Sequence, residues 1–291
     1  MFSALVVMFG SAFLLVKVAL TSFEPTFIVF IRLFIASLLL TTYCVITNRQ
    51  MLLKVNDLPL YFLLALTGSA IPFTLISWGQ QAVSSGTAGI LMATMPLVTI
   101  VLSHFFTDEE TPLNSRTFVG FLIGFLGVVT LLADDNLASV FEQGQDNWAK
   151  FAILLGAFSY AVNAILSKRV KKTDYYVLSA FVLLISTIQM GFVAYYLNSY
   201  SSIDSVSVAP VLSLFALGIF STAAAAVLYY KLINITGPSF MSLVNYPVPV
   251  WAVLLGVIFL EESISWHAII SLVFILIGIA MTQTKPTGSQ K

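Results

Sequence analysis

Charged residues are scarce in this sequence. Only 9% of its 291 residues are Asp, Glu, Lys or Arg, whereas 59% are hydrophobic. A soluble domain carries about 25% charged residues and could not hide this much apolar surface. The composition therefore predicts an integral membrane protein whose solvent is mostly lipid. The formal net charge of zero argues against nucleic acid as a partner.

Side chains suited to covalent or metal chemistry are scarce as well. Cys44 is the single cysteine, which excludes an intramolecular disulfide. The two histidines, His104 and His267, lie near run ends on opposite sides, so they cannot share a metal ion. There is no His-Glu-x-x-His and no Gly-x-x-x-x-Gly-Lys phosphate loop. We therefore predict no catalytic residue, no metal and no cofactor, so that the protein is not an enzyme.

Long apolar runs, by contrast, are abundant. A helix needs about 20 apolar residues to cross a bilayer. Ten runs of about this length follow one another with short connections: 2–20, 26–46, 58–78, 86–106, 115–133, 148–167, 175–197, 208–230, 238–260 and 266–283. The pattern predicts an all-α integral membrane protein with ten transmembrane helices and no soluble domain.

The basic residues predict the orientation of these helices. If the N-terminus is cytoplasmic, ten of the 13 Lys and Arg residues fall in cytoplasmic segments and only Lys150 falls outside. Lys17 and Arg32 lie within runs. Basic residues concentrate in cytoplasmic loops. We expect both termini to be cytoplasmic and the protein to lie in the cytoplasmic (inner) membrane.

The chain shows signs of an internal duplication. Four landmarks recur at an offset of 151 positions: Gly86 and Gly237, Pro96 and Pro247, Glu110 and Glu261, Gly127 and Gly278. The alternative is a chance match, because any two helix pairs rich in Gly and Pro can be aligned somewhere. The offset of 151, however, holds without a gap from Gly86 to Gly127. Five helices per repeat is an odd number, so the second half enters the membrane from the opposite side. We predict inverted five-helix repeats at 1–133 and 148–284, a disordered cytoplasmic tail at 285–291, and a site between the halves.

Small residues mark a close-packing face. Gly120, Gly124 and Gly127 recur at helical spacing in the fifth run, and Gly278 would face them if the repeats pair their last helices. Packing within one chain is the commoner use of this motif, and a homodimer seam is the alternative.

Two basic residues at membrane depth are the sharpest candidates for a site. Lys17 and Arg32 both lie toward the outer third of their runs, and a charge at this depth is a functional candidate by default. The alternative is that either side chain extends to the outer interface, with Glu24 as a salt-bridge partner.

No Asp or Glu lies inside any run. Exporters of cationic drugs usually need a membrane carboxylate, so this absence argues against cationic substrates. It favours anionic or zwitterionic substrates, whose carboxylate could meet Lys17 or Arg32. A neutral substrate would also fit.

Uncharged side chains at plausible depth complete the predicted site. Each candidate also has a structural explanation. Trp78 could lie at the bilayer interface, and Thr94 and the two asparagines could hydrogen-bond a neighbouring helix. The candidates for substrate contact are Trp78, Thr94, Asn163, Asn245 and Tyr246. Three prolines within runs could act as hinges or as kinks for packing: Pro72, Pro96 and Pro247.

These features resemble the EamA-type branch of the drug/metabolite transporter superfamily, and the resemblance covers essentially the whole chain. It is carried by Gly10-Ser11 and Lys17 in run 1, Pro25 and Arg32 in run 2, Trp78 to Ala82, Ser85-Gly86-Thr87-Ala88, Met95-Pro96-Leu97, Glu109-Glu110-Thr111-Pro112, Gly120, Gly124, Gly127-Val128, Gly237-Pro238, Pro247, Glu261-Glu262 and Gly278. Phe9 stands where many relatives have Trp, and Val248-Pro249 loosens the second motif.

The resemblance implies a basket of ten helices around a central cavity that works by alternating access. Spans 1, 3, 4, 6, 8 and 9 would line the cavity, and spans 5 and 10 would serve as scaffold. The expected function is secondary transport of a small-molecule substrate, with amino acids or related carboxylate-bearing compounds as the best guess and export as the direction. The alternatives are an exporter of drugs or amines, or a channel-like facilitator.

Overall fold

The computed structural model describes residues 1–52, 55–106, 115–133, 145–170, 173–197 and 207–282. Within these ranges the regular elements are helices. They form ten units in chain order: α1 (Phe2–Ala19), α2 (Pro25–Ile46), α3 (Leu58–Ala65, Leu66–Ala70 and Ile71–Gly79), α4 (Ser85–Met92 and Met95–Phe106), α5 (Ser115–Ala133), α6 (Gln145–Ser167), α7 (Tyr175–Tyr196), α8 (Val208–Gly218, Ile219–Ala224 and Ala225–Ser242), α9 (Pro247–Leu260) and α10 (Trp266–Thr282). The molecule is an all-α membrane protein of two inverted five-helix repeats.

Helix length and composition match a bilayer. Eight of the described helices are long and apolar enough to cross one, and the other two, α9 and α10, are shorter apolar helices. Large apolar side chains cover the outer surface, such as Ile188 (67% exposed) and Phe192 (72% exposed) on α7. Such a surface would be unstable in water, and lipid is its natural solvent.

The helix packing repeats under exchange of the two halves. The last helices of the repeats, α5 and α10, pack on each other, as do the second helices, α2 and α7. Other contacts come in matched pairs: α1 with α9 corresponds to α6 with α4, and α3 with α6 corresponds to α8 with α1. Every one of these contacts joins one repeat to the other, so the two halves interlock rather than sit side by side.

The boundary between α8 and α9 differs from the sequence prediction. We expected a break at 231–237 and a ninth span from 238, but α8 continues to Ser242 and α9 begins at Pro247 after a 3₁₀ turn. The equivalent break before α4 is stabilised by Ser84, whose side chain accepts a hydrogen bond from the Thr87 N–H. At the offset of 151 the second repeat has Ile235, whose side chain has no oxygen to cap a helix.

A second break keeps the expected register. In α4 the helix is interrupted between Met92 and Met95, and Pro96 follows. In the second repeat the 3₁₀ turn Leu243–Asn245 occupies the corresponding place, and Pro247 is the first residue of α9. Proline is tolerated at the first turn of a helix because its missing N–H would have no partner there. Both prolines therefore lie at helix interruptions.

The pair α5 and α10 is packed backbone to backbone. A Cβ atom added at Gly278 would lie 2.5 Å from the Gly120 carbonyl oxygen and 2.6 Å from the Gly124 amide nitrogen. A Cβ atom at Gly127 would lie 2.9 Å from the Ser271 carbonyl oxygen. Ser271 donates its hydroxyl to the Gly127 carbonyl at 2.6 Å. The glycines thus lie on the facing surfaces of these two helices within one chain.

Two features of the sequence analysis fall outside the described residues. These are the motif Glu109-Glu110-Thr111-Pro112 and the predicted tail at 285–291.

Replacing Gly278 with Ala is expected to lower the free energy of unfolding by about 1–3 kcal/mol, because the new methyl group meets backbone atoms that cannot rotate away. Thermal unfolding in detergent would measure it. Gly156→Ala is the matched control, since its Cβ would meet only the Ile76 side chain at 3.3 Å and more distant atoms. Equal melting temperatures for the two variants would contradict the packing role.

Candidate functional site

A central cavity of about 170 Å³ lies between the two repeats. Residues of α1, α2, α3, α4, α6, α7, α8 and α9 line it, together with Asn245, and no described residue of α5 or α10 does. The lining therefore includes α2 and α7 in addition to the helices that the resemblance implied. Most of the wall is apolar, so the few polar groups in it decide what can bind.

Arg32 is the charged residue of this wall. Its side chain is only 3% exposed, and its guanidinium carbon lies 3.8 Å from the ring centroid of Phe73. Its Nε donates a hydrogen bond to the Thr222 hydroxyl at 3.0 Å. No carboxylate of the described residues pairs with it. Arg32 thus does not extend to the membrane interface and does not pair with Glu24.

The third helix of each repeat contains a wide turn of π-helix where it borders the cavity. In α3 this turn is Leu66–Ala70, and the Ile71 N–H bonds back to the Leu66 carbonyl. Pro72 follows and has no N–H, so the Thr67 carbonyl is left to accept the Ser159 hydroxyl at 2.9 Å.

The corresponding turn in α8 is Ile219–Ala224. Thr222 in this turn donates its hydroxyl to the Leu217 carbonyl at 2.7 Å while it accepts from Arg32. Single π-helical turns of this kind occur often at functional sites. Arg32 therefore contacts both wide-turn helices, α3 through Phe73 and α8 through Thr222.

The two predicted asparagines also reach the cavity. Asn163 of α6 donates its amide to the Leu64 carbonyl at 3.0 Å and to the Thr67 hydroxyl at 3.2 Å. Asn245 lies in the 3₁₀ turn before α9, and its amide nitrogen is 3.7 Å from the Met95 sulfur. Asn163 thus has both predicted features, because it bonds a neighbouring helix and lines the cavity.

Four other candidates are not brought to the cavity wall. Trp78 is 42% exposed on the outer surface of α3, where a large ring faces lipid. The Thr94 hydroxyl donates to the Leu91 carbonyl of its own helix at 2.7 Å, so it is already satisfied. Tyr246 is half-buried between the 3₁₀ turn and α9. Lys17 points instead to the end of α3.

Lys17 and Glu262 hold the turn between α3 and α4 from two sides. The Lys17 ammonium donates to the carbonyls of Gln80 at 2.7 Å and Val83 at 2.9 Å. A cation suits this place because the carbonyls at a helix C-terminus carry partial negative charge. Lys17 comes from the first repeat, and its contacts lie at the end of the cavity.

The Glu262 carboxylate comes from the second repeat and accepts three hydrogen bonds at the start of α4. Its donors are the Ser85 N–H at 2.7 Å, the Ser85 hydroxyl at 2.8 Å and the Gly86 N–H at 3.1 Å. A carboxylate is favoured at a helix N-terminus. A Cβ atom at Gly256 would lie 2.3 Å from Glu262 Oε2, so the lack of a side chain there admits the carboxylate. We call Lys17, Glu262 and the turn 80–86 the terminal clamp.

Several lining residues were not among the predicted substrate contacts, although the sequence places Gln80 and Tyr160 at plausible membrane depth. On α3 they recur at helical spacing in an otherwise apolar run, and this was the signal that could have found them: Ser69, Phe73, Ser77 and Gln80. Tyr160 and Tyr229 also line the cavity, but tyrosine at a membrane interface gives the same sequence signal. Within the described ranges, no three His, Cys, Asp or Glu side chains come together to share a metal ion.

Sequence comparison identifies the family of this chain. The EamA-like transporter family matches at residues 1–133 and 147–284. The chain belongs to the EamA-like transporter family. It is therefore a membrane transporter, built on the helices and around the cavity described above.

Relatives that match nearly the full length of the chain are also described as transporters. The chain is 26% identical to the uncharacterized transporter YdfC of Bacillus subtilis, over 99% of this chain and 92% of the relative. It is 25% identical to the uncharacterized inner membrane transporter YedA of Escherichia coli K12, over 96% and 89%. A crystal structure of a protein with 18% sequence identity superimposes with a TM-score of 0.66, covering 96% of this chain and 98% of that one. It shows the same fold.

Replacing Glu262 with Gln is expected to loosen the terminal clamp, because an amide presents a donor where two backbone N–H groups and a hydroxyl now converge. A cysteine placed at Ala12 in the cavity wall, in a Cys44→Ser background, would report access from the clamp end. We expect a membrane-impermeant maleimide to label it about tenfold faster in the Glu262→Gln variant.

Glu261→Gln is the matched control, since Glu261 is exposed and makes none of the clamp contacts. Equal labelling rates for the two variants would show that the Glu262 contacts do not close this end.

Proposed function

We propose that this transporter carries small carboxylate-bearing metabolites, such as amino acids, across the cytoplasmic membrane by alternating access. The observation that carries the proposal is Arg32, a buried guanidinium in the cavity wall with no carboxylate partner among the described residues. A charge at membrane depth is costly unless it is paired or hydrated, and here a substrate carboxylate would supply the pair.

The geometry of Arg32 suits this role. Its Nε is occupied by Thr222, and the two terminal nitrogens have no hydrogen-bond partner in the described part of the chain. A guanidinium binds a carboxylate through two parallel hydrogen bonds, which fixes the orientation of the ligand. The Phe73 ring holds the guanidinium in position by a cation–π contact.

The two ends of the cavity differ. The terminal clamp lies at one end, where α3 ends and α4 begins. At the other end the lining includes Thr99 of α4, Ser179 of α7 and Tyr230 of α8, which lie about two, one and three turns from the helix ends opposite the clamp. With cytoplasmic termini, as the basic residues predict, the clamp closes the outer end of the cavity. This arrangement supports loading from inside and therefore export.

Movement between inward and outward states would occur at the helix interruptions. Pro72 follows the π turn of α3, and Pro96 and Pro247 follow the breaks in α4 and before α9. We place the hinges there, with repeats at 1–133 and 148–284 that exchange roles around the cavity.

A cationic drug or amine fits this cavity less well, because Arg32 would repel it and no described carboxylate would attract it. A channel-like facilitator would not need the terminal clamp.

Arg32→Met is expected to reduce uptake of a transported carboxylate by about 100-fold, because the variant keeps an unbranched stem in the cavity wall and loses the charged guanidinium. The measurement is initial uptake into proteoliposomes of labelled amino acids, organic acids, nucleosides and tetraethylammonium. Arg116→Met, at an exposed position of α5, is the matched control. Uptake of tetraethylammonium that is unchanged in Arg32→Met would contradict the proposal and indicate a cation carrier.

A further inference from the structure

Gln80 lies at the end of α3 where the cavity meets the terminal clamp. Its side chain is fully buried and lines the cavity. Its amide nitrogen donates to the Phe13 carbonyl of α1 at 3.0 Å. Its amide oxygen has no hydrogen-bond partner among the described residues.

The amide orientation follows from the Phe13 contact. A backbone carbonyl can only accept, so the end of the Gln80 amide that faces it must be the NH₂ group. The oxygen then points away from Phe13 and cannot exchange places with the nitrogen without losing that bond.

The backbone of Gln80 is fixed as well. Its N–H donates to the Ile76 carbonyl at 2.9 Å, and its own carbonyl accepts from Lys17 at 2.7 Å. The residue is therefore held at three points, and its free oxygen is a preorganised acceptor.

Ser77 lies one helical turn before Gln80 on the same face of α3. Its hydroxyl is also buried, lines the cavity and has no partner in the described part of the chain. Buried polar atoms of native proteins are almost always hydrogen-bonded, so two such atoms side by side need an explanation. A donor group on a ligand would satisfy both.

The separation from Arg32 indicates the size of that ligand. Arg32 packs on Phe73, and Ser77 and Gln80 follow Phe73 by four and seven residues. At a rise of about 1.5 Å per residue they lie about 6 and about 10 Å farther along α3. One small molecule can span these distances.

We propose that Gln80, with Ser77, reads a hydrogen-bond donor on the transported molecule, so that the substrate carries an ammonium or similar donor in addition to its carboxylate. This inference rests on the proposed role of Arg32 as the carboxylate site. The substrate class is then zwitterionic rather than simply anionic.

Three unbranched six-carbon acids test the proposal: hexanoate, 2-aminohexanoate and 6-aminohexanoate, which differ only in the presence and position of the ammonium. Initial uptake into proteoliposomes is measured for the wild-type protein, Gln80→Met and Arg32→Met. Gln81→Met is the matched control, because Gln81 is the exposed neighbour of Gln80.

For the wild-type protein we expect at least one amino compound to be taken up about 10- to 100-fold faster than hexanoate. Gln80→Met should remove this preference by slowing the amino compound more than hexanoate, and Gln81→Met should retain it. The wild-type comparison stands even if Gln80→Met does not fold.

Three results would overturn the inference. In the first, the wild-type protein takes up hexanoate as fast as the amino compounds and Arg32→Met abolishes this uptake, which would leave the carboxylate site intact and show that no donor is recognised. In the second, the preference for an amino compound survives in Gln80→Met, which would show that Gln80 does not recognise the donor. No Arg32-dependent uptake of any of the three acids would overturn the proposed function together with this inference.

Discussion

Arg32 places a positive charge inside the helix bundle. There it contacts the face of the Phe73 ring and the Thr222 hydroxyl, and no carboxylate of the described residues pairs with it. Such a charge is tolerated only if its surroundings are specialised. The neighbouring elements show that specialisation: Phe73 follows the wide turn of α3, and Thr222 lies in the wide turn of α8. One residue of α2 thus connects the irregular helices of both repeats.

The helices divide into a regular part and an interrupted part. In α5 and α10, glycines let two backbones touch, and neither helix contributes a described residue to the cavity. In α3, α4 and α8, and at the start of α9, the helical hydrogen-bond pattern is broken where the cavity lies. Non-helical backbone at membrane depth is stable only where protein or a cavity satisfies it. The regular, closely packed helices therefore lie away from the cavity, and the interrupted helices border it.

Most of the fold could be predicted from the sequence, because in lipid the length of an apolar run already defines a helix. The site could be predicted only in part. Lys17 and Arg32 look alike in sequence, yet one binds carbonyls in the terminal clamp and the other lines the cavity. Apart from the polar positions of α3, helices that are apolar all round give no periodic signal for the face that turns inward. The α8–α9 boundary was missed because Ile235, at the position equivalent to the capping residue Ser84, has a side chain that cannot cap a helix before Gly237.

The wide turns also set the rotational phase of the helical segments that come after them. A π turn contains one residue more than an α turn, and each residue of a helix turns the chain by about 100°. Removing one residue from Leu66–Ala70 would restore a regular helix and rotate the rest of α3 by that angle. Ser77 and Gln80 would then leave the cavity wall although no atom of either had changed. The chemistry of this wall therefore depends on how many residues the turn contains as much as on which residues follow it.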